Sequence, residues 1–420
     1  MKNCLIITTK FPPSGGIGVQ RVTKFAKYLP EYGYKPIVVT IPVWSDRSRK
    51  DPSMLNELDP GLEIFRPFYF DYRKIIPGDV AKLFRGLERK YLFPDSFRIW
   101  CPFALKRIKK ISSEKKIDVV FVTCKSFSLM HLIKPLKELL GVPVILDLRD
   151  PFSFNYYNID KPEEYKKRTL ELEKESFSNA SAITTVTPFI TEKYRSLYPD
   201  SKIFKITNGF DPSDFPEPSK ATPASELKEF SIGYNGTFSK MVPLDTVAKV
   251  LCRLFDEDKI DIKLNLATPM DQSTVKRSLS GLIDRGLLNY RGFLPHRESI
   301  LKLYESNILL MVLADDKKTE GVYSGKILEY LNIDRPVLLL NRKGSNLDEL
   351  IDSTRKGITV NINDEVDIRN AVMKFYSDWK SRSGFLTPDL NEISKYNLKN
   401  LTKNLSEIMN NLIKENSHEN

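Results

Sequence analysis

The stretch Lys2-Asn3-Cys4-Leu5-Ile6-Ile7-Thr8-Thr9-Lys10-Phe11-Pro12-Pro13-Ser14-Gly15-Gly16-Ile17-Gly18-Val19-Gln20-Arg21 decides the architecture. Residues 4–8 are a short apolar run of strand length, and Val22, Phe25, Ala26 and Leu29 beyond them recur at helical spacing. Between the two, glycines at 15, 16 and 18 allow backbone amides to approach a ligand closely, and the positive end of the following helix is aimed at the same spot. A strand, a glycine turn and a helix in this order form a plausible anion cradle. The spacing supplies neither G-x-G-x-x-G nor the Lys-Ser/Thr of a Walker loop, so a dinucleotide site and an NTPase loop are both unsupported. On the glycines alone, a ligand-free turn is an equal alternative.

Working outward, apolar runs at 36–41, 119–123, 142–148, 182–187 and 203–207 continue the pattern, each separated from the next by helix-like sequence. Asn208-Gly209-Phe210-Asp211-Pro212 follows, and Pro212, Pro216, Pro218 and Pro223 make 209–228 a linker that continues neither helix nor central strand. A second series then runs through 230–235, 262–267, 288–293, 308–313, 336–340 and 357–360, with helix-like segments at 244–255 and 326–331. The expected fold class is α/β, with two doubly wound Rossmann-like domains, 1–208 and 229–396, facing across a cleft. Their ligands would bind beyond the carboxyl ends of the strands. Residues 397–420 are expected to be a helix, with one apolar face of Leu398, Leu401, Leu405, Ile408, Met409 and Leu412, followed by a fraying polar tail from Glu415.

A chain of 420 residues exceeds what one core usually serves, which agrees with two domains. Four cysteines without a C-x-x-C pair and three scattered histidines offer no zinc spacing, so no metal and no cofactor are expected, and a reducing cytoplasmic setting is the simple inference. The apolar run at 4–7 is too short for a signal peptide, and the longest later one, 308–314, is far below the roughly 20 residues that cross a bilayer. Any membrane contact is therefore expected to be peripheral.

The net charge of +11 has an address. Residues 66–116 hold 14 Lys or Arg against 5 Asp or Glu, interleaved with Phe68, Tyr69, Phe70, Tyr72, Phe84, Tyr91, Phe93, Phe97 and Trp100. This mixture suits docking on anionic headgroups. Nucleic-acid binding is not expected, since no recognition motif accompanies the charge. A solvated basic face with its aromatics packed inward is the competing expectation.

Phe11-Pro12-Pro13 with the glycine cluster, Gln20-Arg21 and Ala26-Lys27-Tyr28-Leu29 with Gly33 resemble the opening of bacterial group 1 glycosyltransferases, the GT-B family 4. In the same order come Leu146-Asp147-Leu148-Arg149-Asp150-Pro151-Phe152, Ile206-Thr207-Asn208-Gly209-Phe210-Asp211, Tyr234-Asn235-Gly236-Thr237-Phe238-Ser239, Arg291-Gly292-Phe293-Leu294-Pro295 and Ser324-Gly325-Lys326-Ile327-Leu328-Glu329-Tyr330-Leu331 with Arg335-Pro336. The resemblance covers about three quarters of the chain, from Lys10 to Pro336.

It implies transfer of a sugar from a nucleotide-diphosphate donor, most readily a UDP-sugar, to a lipid-linked saccharide in bacterial surface polysaccharide synthesis, with retention at the anomeric carbon. The enzyme would sit at the inner face of the cell membrane. The first domain would face acceptor and membrane, and the second would hold the donor. Donor contacts fall on Gly16, Gly18, Lys240, Phe293, Ser324, Gly325, Lys326 and Glu329, acceptor contacts on Gly15 and Arg149, and catalytic roles on Asp150 and Glu320. Physically, Ser324-Gly325-Lys326 opens a helix, so free amides, a helix dipole and an ammonium converge where a diphosphate would sit, and Glu329 lies one turn on to accept ribose hydroxyls. A Lys326/Glu329 pair on an ordinary helix surface is the plain alternative, as is a buried Arg149/Asp150 pair holding its loop.

Two departures from the family stand out. The usual pair of glutamates separated by seven residues would place the first at Gly321, with Glu320 one residue away, and no histidine occurs in the 146–152 loop. A sugar-nucleotide epimerase and a catalytically silent partner of a polysaccharide assembly complex are the rival functions.

Overall fold

The computed structural model describes residues 1–48, 50–71, 91–216, 222–239, 242–314, 321, 323 and 325–419. They form two compact units, Met1–Thr207 with Leu398–Asn420, and Asn208–Asn397. The first carries a parallel seven-stranded sheet ordered β3-β2-β1-β4-β5-β6-β7, made of β1 Lys2–Ile7, β2 Tyr34–Val39, β3 Glu63–Phe65, β4 Val119–Cys124, β5 Val144–Leu148, β6 Ala182–Thr185 and β7 Ile203–Lys205. Each expected apolar run of this half is a strand. Runs such as Val119–Cys124 and Val144–Leu148 are buried throughout, because helices cover both faces of a parallel sheet. The edge strand β3 was not anticipated: three half-buried residues carry no periodic signal, and only pairing with β2 defines them.

The chain's last helix, Leu398–Glu419, belongs to this first unit. Leu398, Leu401, Leu405, Met409 and Leu412 join Val22 and Phe25 of the helix Ile17–Tyr28, and Leu29 just after it, in one buried cluster, so the expected apolar stripe is the buried one, with Ile408 half-buried at its margin. The tail does not fray from Glu415 as expected. Glu415 accepts an ion pair from Lys202 at 2.7 Å, Asn416 Nδ2 donates to the Gly141 carbonyl at 3.1 Å, and the helix runs on to Glu419.

The second unit repeats the plan with a six-stranded parallel sheet ordered β10-β9-β8-β11-β12-β13. Its strands are β8 Ser231–Asn235, β9 Lys263–Ala267, β10 Leu288–Tyr290, β11 Ile308–Val312, β12 Val337–Leu340 and β13 Gly357–Val360. Part of the proline-bearing 209–228 stretch is built into this unit, since Phe210 is buried in its core and its backbone pairs with Asn397. In both sheets the strand order reverses once, between β1 and β4 in the first and between β8 and β11 in the second. Loops leaving the carboxyl ends diverge at such points and open a crevice, which is where ligands of these sheets bind.

A buried ion pair locks the first reversal. Arg21, in the helix Ile17–Tyr28, donates to both carboxylate oxygens of Asp147 at 2.8 and 3.2 Å, and the two side chains are 2% and 0% exposed. Thr123 of β4 and Thr184 of β6 each donate to Asp147 at 2.7 Å, while Arg21 also donates to the carbonyls of Ile206 and Thr207. Burial pushes the Asp147 carboxyl up, but Arg21 and the two threonine hydroxyls outweigh it and hold the group below its ordinary value. Arg21→Ala, which strands a buried carboxylate, is expected to cost about 3–5 kcal/mol in urea unfolding. Because the folded carboxyl is depressed, this contribution is complete above the ordinary carboxylate pKa and is lost as pH falls through the folded value, so wild type and variant should converge in acid.

Candidate functional site

In the first unit, the chain leaving β1 is pinned before it reaches the glycines. Lys10 and Ser14 both donate to buried Asp46, which follows β2, and the Ser48 amide donates to it at 2.9 Å. Burial raises the Asp46 carboxyl, yet these donors together hold it well below the usual carboxylate range. Gly16 then adopts φ 97° at the start of the helix Ile17–Tyr28, a conformation that disfavours any side chain.

Arg149, directly after β5, donates to the Gly18 carbonyl. Lys125, directly after β4, lies so close that a Cβ on Gly18 would come within 3.3 Å of its Cε. Desolvation first, then the Arg149 guanidinium, weaken the Lys125 proton, while Asp150 opposes them. Burial, helped by Arg21, pushes Arg149 down to about 10. Glycine amides and two cations thus gather at the ends of three adjacent strands, a setting that attracts an anion. Asp150 is exposed on the same rim. The anticipated Arg149/Asp150 pair is not what holds this loop. That task falls to Arg21–Asp147, and Arg149 instead braces the glycine turn.

The second unit brings Gly236, Lys326, Glu329, Gly292 and Phe293 to the carboxyl ends of β8, β10 and β11. The helix Gly325–Asn332 starts with Lys326 in its first turn, and Lys326 Nζ donates to the Tyr234 hydroxyl at 2.9 Å while sitting 4.5 Å from that ring's centre. Burial pushes Lys326 down to about 8, with Glu329 opposing. Gly236, φ 125°, leaves the room this ammonium occupies, and a Cβ there would overlap it. Lys326 and Glu329 do not pair with each other. Glu329 Oε1 instead lies 2.8 Å from His296 Nε2.

Phe293 is 45% exposed, beyond the Gly292 carbonyl that accepts from the Thr268 amide at 2.8 Å. Arg335 is structural, since its guanidinium, 2% exposed as a residue, donates to the carbonyls of Ser306, Asp334, Thr222 and Tyr304. Lys240, Ser324 and Glu320 lie outside the described residues. Sequence reasoning missed Lys125, Asp46, Tyr234 and His296. Lys125 was the findable one, as the first residue past a strand flanking the reversal point.

Residues 15–214 match the profile of Glycosyltransferase Family 4. That segment is a Family 4 glycosyltransferase domain, and the two parallel sheets with their flanking helices have the GT-B fold. The chain's fold is similar to that of sucrose-phosphate synthase from Thermosynechococcus elongatus, at 14% identity and TM-score 0.65 over 99% of this chain and 100% of that one. A glycosyltransferase from Rickettsia africae is similar at 14% identity and TM-score 0.65, covering 98% and 99%. The lipopolysaccharide outer core galactosyltransferase WaaB is similar at 13% identity and TM-score 0.57, covering 97% and 99%. No curated protein matches at the sequence level.

The Gly236 contact yields a direct test of the second unit. Gly286, φ 65° with open space around it, is the control for backbone strain alone. Gly236→Ala should lower stability in urea unfolding by about 1–3 kcal/mol, clearly more than Gly286→Ala, because it adds the collision with Lys326 to the strain. Equal losses would show that the ammonium yields freely.

Proposed function

We propose that this glycosyltransferase moves a sugar from a nucleotide-diphosphate sugar, a UDP-sugar by preference, to a lipid-linked saccharide acceptor in bacterial surface polysaccharide synthesis, with retention of anomeric configuration. The observation that carries the donor assignment is the half-buried Lys326 ammonium beside the first turn of its helix. It has no carboxylate in ion-pair contact among the described residues. When the bond between the anomeric carbon and the diphosphate oxygen breaks, its electron pair stays with that oxygen. The negative charge so developed is met by Lys326 and the amides that open the helix. Lys240 and Ser324 are proposed to complete this cradle, Glu329, oriented by His296, to accept ribose hydroxyls, and Phe293 to flank the base. Structures of the same fold that hold UDP (TarM) or ADP (starch synthase IV from Arabidopsis thaliana) support a nucleotide donor.

The acceptor side is assigned to Gly15 and Arg149 with Lys125 beside them, Gly16 and Gly18 of the same turn being kept as donor contacts, and Asp150 and Glu320 are the catalytic carboxylate candidates. An acceptor bearing phosphate suits two cations at a helix start. No helix among the described residues is long and apolar enough to cross a membrane. The basic stretch 66–116 is proposed to bring the enzyme to the anionic inner face of the cell membrane.

Two measurements test this reading. Lys326→Ala and Glu329→Ala should each lower transfer from the preferred nucleotide sugar by about 100-fold or more, and rates near wild type in both variants would remove the site. Calorimetric UDP affinity should fall as pH rises through about 8, where Lys326 loses its proton in the free enzyme. Lys326→Ala should abolish that dependence.

A further inference from the structure

Four aromatic side chains of the first unit are exposed and touch one another. Trp44 is 54% exposed, Phe68 56%, Phe70 38% and Phe103 41%. The Trp44 ring centre lies 5.9 Å from that of Phe68 and 6.4 Å from that of Phe70, and Phe68 meets Phe103 edge-on at 5.5 Å. They come from three separate pieces of chain: the loop after β2, the loop after β3, and the first turn of the helix Trp100–Glu114. This unit does not lack a core for aromatics. From the same basic stretch Tyr69, Phe93 and Trp100 are buried and Phe97 stacks on Tyr69 at 5.1 Å, while Tyr72 and Phe84 lie outside the described residues. Expelling a contiguous aromatic cluster from such a core marks an interaction surface, not a packing failure.

Position and charge identify what covers it. The loops after β2 and β3 leave the carboxyl ends of their strands, so the cluster shares a rim with the Gly15–Gly18 turn after β1. With β3, β2 and β1 adjacent in the sheet, strand spacing puts it about 10 Å to the side. Along the helix, Lys106, Arg107 and Lys110 follow Phe103 at the spacings of one helix face, and Lys106 and Lys110 are exposed. An aromatic tip flanked by cations, inside a stretch of strong positive charge, complements an interface that is apolar below and anionic at its surface.

We propose that Trp44, Phe68, Phe70 and Phe103 form a wedge that inserts into an anionic lipid bilayer, with Lys106, Arg107 and Lys110 on the headgroup phosphates. The wedge holds the Gly15–Gly18 turn at headgroup depth, where a lipid-linked acceptor carries its phosphate. This deepens the membrane assignment above and rests on it for its biological use.

The test uses the full-length protein and vesicles of phosphatidylcholine with about one-third phosphatidylglycerol. Wild type should co-sediment with them, and its tryptophan emission should shift to the blue. Trp44 is the reporter, because Trp100 is fully buried and Trp379 is half-buried in the other unit. Trp44→Ser combined with Phe68→Ser should lower vesicle partitioning by about tenfold or more while leaving the far-UV circular dichroism spectrum unchanged. Lys106→Glu with Lys110→Glu should lower it on anionic vesicles and flatten its salt dependence.

Unchanged partitioning in the aromatic variant, unchanged emission in wild type, or equal binding to neutral vesicles would overturn the proposal. A wild-type dimer that the aromatic variant dissolves would assign the face to a second copy instead. UDP titration separates this inference from the transfer reading. Vesicle binding without UDP binding removes the latter alone, and UDP binding without vesicle binding removes the wedge alone.

Discussion

Arg21 and Asp147 stand 126 residues apart in sequence and meet with almost no water between them and the core. Either charge alone in that position would carry a penalty of several kcal/mol, so the pair exists only where helix, β4, β5, β6 and the end of the Thr207 segment are all in place. The hydroxyls of Thr123 and Thr184 and the carbonyls of Ile206 and Thr207 occupy the remaining hydrogen-bonding capacity. The consequence reaches the glycine turn. Arg21 sits in the second turn of the helix that Gly16 opens, so the pair sets how the helix lies on the sheet and where its first amides point. Two residues past Asp147, Arg149 grips the Gly18 carbonyl and completes the brace.

The second unit solves the same problem of placing charge at a strand reversal by other means. Arg335 is consumed by four backbone carbonyls, although it belongs to one of the segments that carry the sequence resemblance. Lys326 has the opposite fate. Its ammonium is kept partly desolvated against a tyrosine ring and hydroxyl, and this burial lowers its proton affinity, with Glu329 opposing. A group held in that condition gains most when an anion arrives, which is the electrostatic logic of the diphosphate cradle proposed above. Glu329, one turn on, opposes that shift from a distance while its carboxylate stays hydrogen-bonded to His296.

Much of the fold was legible because parallel strands buried on both faces leave unbroken apolar runs, and all the expected ones formed strands. β3 escaped because three residues are too few to show a period. The terminal helix announced its apolar face but not its address, since a stripe at helical spacing is compatible with any apolar surface. Only the packed cluster with Val22, Phe25 and Leu29 assigns it to the first unit. In the site, Lys326 and Glu329 were legible as a helix-opening pair, yet their partners Tyr234 and His296 were not, because nothing local links position 326 to 234 or 329 to 296. The aromatics of 66–116 could not be sorted into inward and outward sets from their order in the chain, and Trp44, which the outward set gathers around, lies outside that stretch.

What the sequence determined by itself is the alternation of strands and helices, the two sheets, the glycine turn and the place of the positive charge. These are properties of neighbouring residues, written in period, composition and turn chemistry. Tertiary structure decided which charges neutralise each other in the core and which stay available at a strand end. The physical reason is that Arg21, Arg149, Lys326 and Arg335 are alike as local sequence. What separates a cation consumed in the core from one left at a strand end is the carboxylate, carbonyl or hydroxyl that distant chain brings within about 3 Å of it.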